Sequence, residues 1–158
     1  MLKYLLKAPE AGWAAASPAQ ATVENLKIRY LGTAGFILSD QHRTVVLDPF
    51  ISRPSLWQTF TQPLLSDPAL VRQYIPQAHE VLIGHAHYDH ILDAPEVCKQ
   101  TGARLIGSQA SLMYGRSAGL SEQQMLETKG RKTIDCGKWQ VVGLPSIHGK
   151  ALFGRVPL

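Results

Sequence analysis

The stretch from Glu80 to Gly102, EVLIGHAHYDHILDAPEVCKQTG, constrains the fold more than any other part of the chain. Its opening EVLIG is a short continuous apolar run of the kind that forms a buried strand. Its end reads as a helix, because Asp93 and Glu96 have the spacing of a capping box and Pro95 lies in the first turn. Between them stand His85, His87, Asp89 and His90, so three of the chain's six histidines fall within six positions. A segment pinned this way lies at the carboxyl end of a strand, where open α/β sheets place their ligands.

The flanking sequence extends the pattern. LKIRYLG and FILSD surround a turn at Gly32–Gly35, and TVVLD follows at Thr44–Asp48, which reads as a meander of short strands. Pro49 to Pro68 reads as a loop rich in prolines and aromatics, with Phe50, Trp57 and Phe60 packing over a core or lining a pocket. Asp67 then caps a helix with Pro68 in its first turn. ARLIG is a strand, Ser108 caps the next helix and Ser121 a shorter one. KTIDCG and WQVVGLP return as strands around Gly137. Strands alternating with helices mean an α/β protein. TVVLD, EVLIG, ARLIG and WQVVG are apolar on both parities, so the sheet they form expects cover on both faces.

Length and composition narrow the function classes. The 158 residues suit one domain, expected over 26–158. A hydrophobic content of 45% against 18% charged excludes a disordered chain. The net charge of +4 is compatible with an anionic substrate, and the one basic cluster, KGRK at Lys129–Lys132, lacks the stripe and aromatics of a specific nucleic-acid footprint. No apolar run reaches the roughly 18 residues of a transmembrane segment. Residues 1–25 read as a loosely ordered extension, weakly signal-like, whose Lys7, Pro9 and Glu10 interrupt the apolar core of a signal peptide. Cys98 and Cys136 have no metal-binding spacing and read as buried thiols in a reducing compartment. A cytoplasmic protein is expected.

The cluster has its own chemistry. Residues two apart in an extended segment point the same way, so His85 and His87 converge on one metal ion. Asp89 shares their parity, and His90 turns to a second position nearby. Imidazole with carboxylate suits zinc, and also iron or manganese. Two ions roughly 3.5–4 Å apart hold a water between them and lower its pKa from about 15.7 toward 7. His148, in PSIHGK after an apolar strand, is the candidate for a further ligand. His42 and His79 lack such company and read as structural or solvent-exposed.

HAHYDH resembles the HxHxDH signature of the metallo-β-lactamase superfamily. YLGTAGFIL resembles its opening hairpin, TVVLDPF its strand-end aspartate, and PSIHGK its next metal histidine, so the likeness spans about residues 26–150. LGTAGF, LDPFISRP and SIHGKALFG look most like the branch holding lactonases and phospholipase D-like enzymes that act on N-acyl-phosphatidylethanolamine. The resemblance implies that His85, His87 and His148 hold a first ion. It implies that Asp89 and His90 hold a second, and that Asp89 also orients the attacking water. Asp48 would support the ligands from behind. The implied fold is the N-terminal half of an αββα sandwich, a mixed sheet flanked by helices. The family's second half supplies a bridging aspartate and a final histidine, and neither has a counterpart among the ten residues after His148.

Two classes of function are expected from this. One is a metal-dependent hydrolase, with zinc as its cofactor, whose water attacks an ester, lactone or phosphodiester in a small-molecule or lipid-like anionic substrate. A second enzyme class, a mononuclear iron enzyme of oxidative chemistry with the same fold, is the alternative to it. The other is an inactive or partner-dependent fragment. In either case the chain is expected to form a homo-oligomer or to need the complementary half.

Overall fold

A computed structural model describes residues 26–145 of the chain, so His148 and the extension 1–25 lie outside the described residues. The main sheet holds six strands in the order β1 to β6: Lys27–Gly32, Gly35–Ser39, Thr44–Leu47, Glu80–Leu82, Arg104–Gly107 and Met125–Glu127. β1, β2 and β3 pair antiparallel, and β3 to β6 pair parallel. The connections explain the change. Short turns can join only antiparallel neighbours, whereas parallel strands need a crossover. Here α2 (Pro68–Tyr74), α4 (Ala94–Thr101) and α5 (Gln109–Ser117) lie on those crossovers. The sheet is therefore mixed and flanked by helices, as expected.

The turn after β1 depends on glycine. Gly32 has φ +96°, and a Cβ there would lie 1.8 Å from Arg53 Nη2, whose guanidinium donates to the Leu31 carbonyl.

Val46, Val81 and Leu105 of the central strands are buried against Val71 of α2 and Ile75 just after it, Val97 and Cys98 of α4, and Leu112 of α5. Burial pushes the Cys98 thiol up to about 12, so it is inert at neutral pH. The strands' other parity carries Val45 and Ile106, also buried. Cover on that side includes a separate hairpin of β7 (Thr133–Cys136) and β8 (Trp139–Val142). A cleft of about 720 Å³ remains between hairpin and sheet, lined by Leu47, Leu82, Ile106, Val141 and Leu144 among others.

Four local expectations are corrected. WQVVG forms β8 of the separate hairpin and is no part of the main sheet. Met125–Glu127 is a sheet strand, and before it Ser121 opens only a 3₁₀ turn with no side-chain cap bond. The Pro49–Pro68 loop contains a helix, α1 (Leu56–Thr61), closed by a capping box between Ser55 and Gln58. Asp93 makes no capping hydrogen bond with its side chain.

The hairpin is tied to the sheet at two places. Glu80, fully buried, accepts from Arg43 and Arg104, and Arg104 reaches on to the Asp135 carbonyl at 3.4 Å. Trp139 Nε1 donates to Asp40 at 2.9 Å. The His42 and Arg43 N–H groups also donate to Asp40, and with Trp139 they hold its carboxyl down to about 2 from the ordinary 3.8. A folded-state pKa below the unfolded value stabilises at higher pH and stops doing so as the carboxylate protonates. The tether is therefore expected to hold above pH about 4 and to fade as pH falls toward 2. An acid titration of the Trp139 indole N–H resonance checks this. A signal constant across that window, or one equally pH-dependent in Asp40→Ala, would contradict it.

Candidate metal centre

β4 ends at Leu82, and Ile83 adds one more backbone bond to Ile106 before the chain leaves the sheet. His87, in extended conformation, is the N-cap of α3 (Tyr88–Ile91). The parity argument therefore holds from His85 to His87 and stops there. The two rings meet at 4.3 Å between centroids, with His85 Nε2 and His87 Nδ1 2.9 Å apart. Asp89 and His90 lie on the turn of α3, and it is helical curvature that returns the His90 ring to 3.9 Å from His85. Asp89 Oδ2 sits 3.7 Å from His90 Nε2.

Asp48 stands behind this group. It follows β3 in the left-handed region at φ +40°, a strained position for a residue with a side chain. Its Oδ2 pairs with His90 Nδ1 at 3.0 Å, and its Oδ1 accepts the Gly84 N–H at 2.7 Å. Glycine at 84 eases that approach, since a Cβ there would lie 3.0 Å from Asp48 Oδ2 and crowd the carboxylate. With its Nδ1–H donated to a carboxylate, His90 is held in the tautomer that leaves the Nε2 lone pair for a ligand bond.

The donor set fits a metal ion in kind. Nitrogens bound to one tetrahedral ion at about 2.0–2.1 Å stand roughly 3.3–3.4 Å apart. The facing nitrogens of His85 and His87 need to open by only about half an ångström. Among the described residues no three such side chains are yet arranged as an ion would hold them. The expected third ligand on that side, His148, lies outside those residues. Of the other histidines, His79 accepts the Thr44 N–H through Nδ1 and serves the sheet, and His42 lies exposed in its turn.

Asp93, just past the cluster, has a part that the sequence reading missed. It is completely buried. It accepts the N–H groups of Ile51 at 2.5 Å and Ser52 at 2.8 Å, and the hydroxyls of Ser52 and Ser66, both at 2.5 Å. Ser52 Oγ in turn accepts the Asp67 N–H. Both stems of the 52–66 loop are thus clamped to the residue that opens α4. Phe50 adds an edge-on contact with Tyr88, inside the histidine segment, at 5.8 Å. An aspartate before a proline-bearing helix carries the signal of a cap, and nothing local distinguishes the two uses.

The chain resembles known proteins in sequence and in fold. Residues 43–153 match the family model described as beta-lactamase superfamily domain. A metal-dependent hydrolase of Methylacidiphilum infernorum is 34% identical over 113 residues, covering 72% of this chain and 45% of that protein. One of Methanopyrus kandleri is 29% identical over 127 residues, covering 80% and 49%. The chain thus spans about half the length of the curated relatives it matches. Among solved structures, Igni18, a metallo hydrolase of Ignicoccus hospitalis, superposes with a TM-score of 0.59 at 21% identity over 84% of this chain and 53% of its own. CmlA, a diiron β-hydroxylase of Streptomyces venezuelae, gives 0.56 at 22% identity over 78% and 24%. These two likenesses show the shared fold.

Proposed function

The chain belongs to the beta-lactamase superfamily, and from that premise we propose that it carries the histidine-rich ligand set of a metal-dependent hydrolase. One observation carries the reading: His85 and His87 present facing nitrogens while Asp48 fixes His90 beside them. His85 and His87, with His148, would hold a first ion, and Asp89 and His90 a second. Such ions supply a Lewis acid and an acidified water. Zinc suits these donors, and manganese and iron are alternatives. The Asp89 carboxylate, 37% exposed and 3.7 Å from His90 Nε2, would orient the water and take its proton. The Asp48 carboxylate keeps the His90 ring from turning. The bond attacked is an ester, lactone or phosphodiester in a small or lipid-like anionic substrate.

A second reading has one supporting observation, the likeness to a diiron β-hydroxylase, and would use iron for oxidative chemistry. The reading also includes a partner. The described residues offer the second ion only Asp89 and His90, and the cleft between hairpin and sheet reaches Asp48 and His85. A second copy or a complementary segment would complete both. With both cysteines buried as thiols, the cytoplasm is the proposed location. Among the described residues no helix is long and apolar enough to cross a membrane.

Elemental analysis of protein purified without added metal, paired with Asp89→Ala, tests these statements. Zinc or manganese is expected, at no more than one tightly bound ion per chain. Asp89→Ala is expected to lower hydrolysis in the active assembly by more than about tenfold, or 1.4 kcal/mol of barrier, with the first ion retained. Iron alone would favour the oxidative reading, and near-normal hydrolysis would remove Asp89 from its role.

A further inference from the structure

Helix α1 buries none of its six residues. Leu56, Trp57 and Phe60 are 77%, 73% and 75% exposed, and Leu65 just beyond is 77% exposed. Single exposed apolar side chains are ordinary, but four on one short loop make a patch. The patch is held out by construction. Asp93 grips Ile51 and Ser52 on one stem and Ser66 on the other, and the Ser55–Gln58 box closes the helix between them. With both stems fixed, these side chains leave water only when another surface reaches them.

The nature of that surface follows from shape, area and charge. A helix with no buried residue presents a convex edge. At about 150–250 Å² for a large side chain, four that are three-quarters exposed offer roughly 600 Å². That is less than the roughly 800 Å² per partner of a standard protein interface. From Pro49 to Ser66 the only charged residue is Arg53, whose guanidinium donates to the Leu31 and Phe50 carbonyls, and the whole chain carries +4. The acids that border the loop, Asp67 and Asp93, turn their carboxylates to N–H and O–H groups of the fold. Trp and Phe set among Gln and Thr is the mixture that settles at a headgroup boundary, and the cytoplasmic leaflet is anionic.

We propose that the α1 loop is an interfacial docking element that inserts Leu56, Trp57, Phe60 and Leu65 into the surface of an anionic bilayer. The contact lies on the membrane and does not span it. Docking needs no metal. Through Asp93 and the Phe50–Tyr88 contact, it would bring the histidine cluster to the lipid surface along with the loop.

Co-sedimentation of the purified protein with vesicles of phosphatidylcholine, with and without phosphatidylserine, tests this. Binding to the phosphatidylserine vesicles is expected, with tryptophan fluorescence quenched by brominated acyl chains. The double variant Trp57→Ser, Phe60→Ser should lower partitioning by at least about tenfold. Trp57→Phe keeps the apolar anchor, so it should still bind while losing most of the quenching; this arm holds even if the double variant misfolds. No binding, equal binding to neutral vesicles, or quenching unchanged in Trp57→Phe would overturn the proposal. So would sedimentation velocity showing that the double variant abolishes a dimer while vesicles bind neither form.

Discussion

His87→Ala is expected to weaken metal binding by more than a hundredfold. His87 Nδ1 faces His85 Nε2 at 2.9 Å, and both rings are held in place, one by the end of β4 and the other by the start of α3. Removing a group that only orients a ligand typically costs 10–100-fold in affinity. The ligand itself should cost more. Asp48→Ala supplies the control, since Asp48 orients His90, a ligand of the proposed second ion, so the affinity for the first ion should change by less than about tenfold. Titration against a chromophoric chelator measures both, with circular dichroism to confirm that each variant is folded. Wild-type affinity in His87→Ala would mean that the convergence of His85 and His87 serves packing and not a metal.

Asp93→Ala is expected to destabilise the protein by about 3–5 kcal/mol, since each buried donor left without an acceptor costs about 1–3 kcal/mol and part of that is recovered by relaxation. Four donors lose their acceptor together, and two of them are backbone N–H groups that no rotamer change can redirect. The loss is a large share of the 5–15 kcal/mol that holds an ordinary domain folded. Asp93→Asn separates charge from shape: it keeps one acceptor oxygen and should lose less. Urea unfolding followed by circular dichroism gives the difference directly. A loss below about 1 kcal/mol would mean that Asp93 is an ordinary helix cap whose grip on the loop contributes little.

The two outcomes bear on different parts of the molecule. His87 tests the chemistry of a segment whose placement was legible locally. Asp93 tests a contact that spans 27 to 42 residues of sequence. The exposed loop depends on the second and not on the first.

Local chemistry was enough to read the strand before the histidines, the crossover helices and the convergence of His85 with His87. Those features follow from side-chain period, capping residues and chain direction, which act over a few residues. The same information placed Asp48 at a strand end and Asp67 and Ser108 at helix starts, where their side chains accept backbone N–H groups. It also contained the Ser55–Gln58 box of α1, which went unread beneath the surrounding prolines. Tertiary structure alone decided the rest. WQVVG has the period of a strand, but which sheet a strand joins depends on backbone partners far away in the chain, so it pairs with β7 and leaves Met125–Glu127 to extend the main sheet. Asp93 had a local use as a cap and a distant one as a clamp, and the four donors brought to it by the folded loop outweighed the single cap bond. His90 found its partner in Asp48, 42 residues earlier, only because β3 and β4 lie side by side in the sheet.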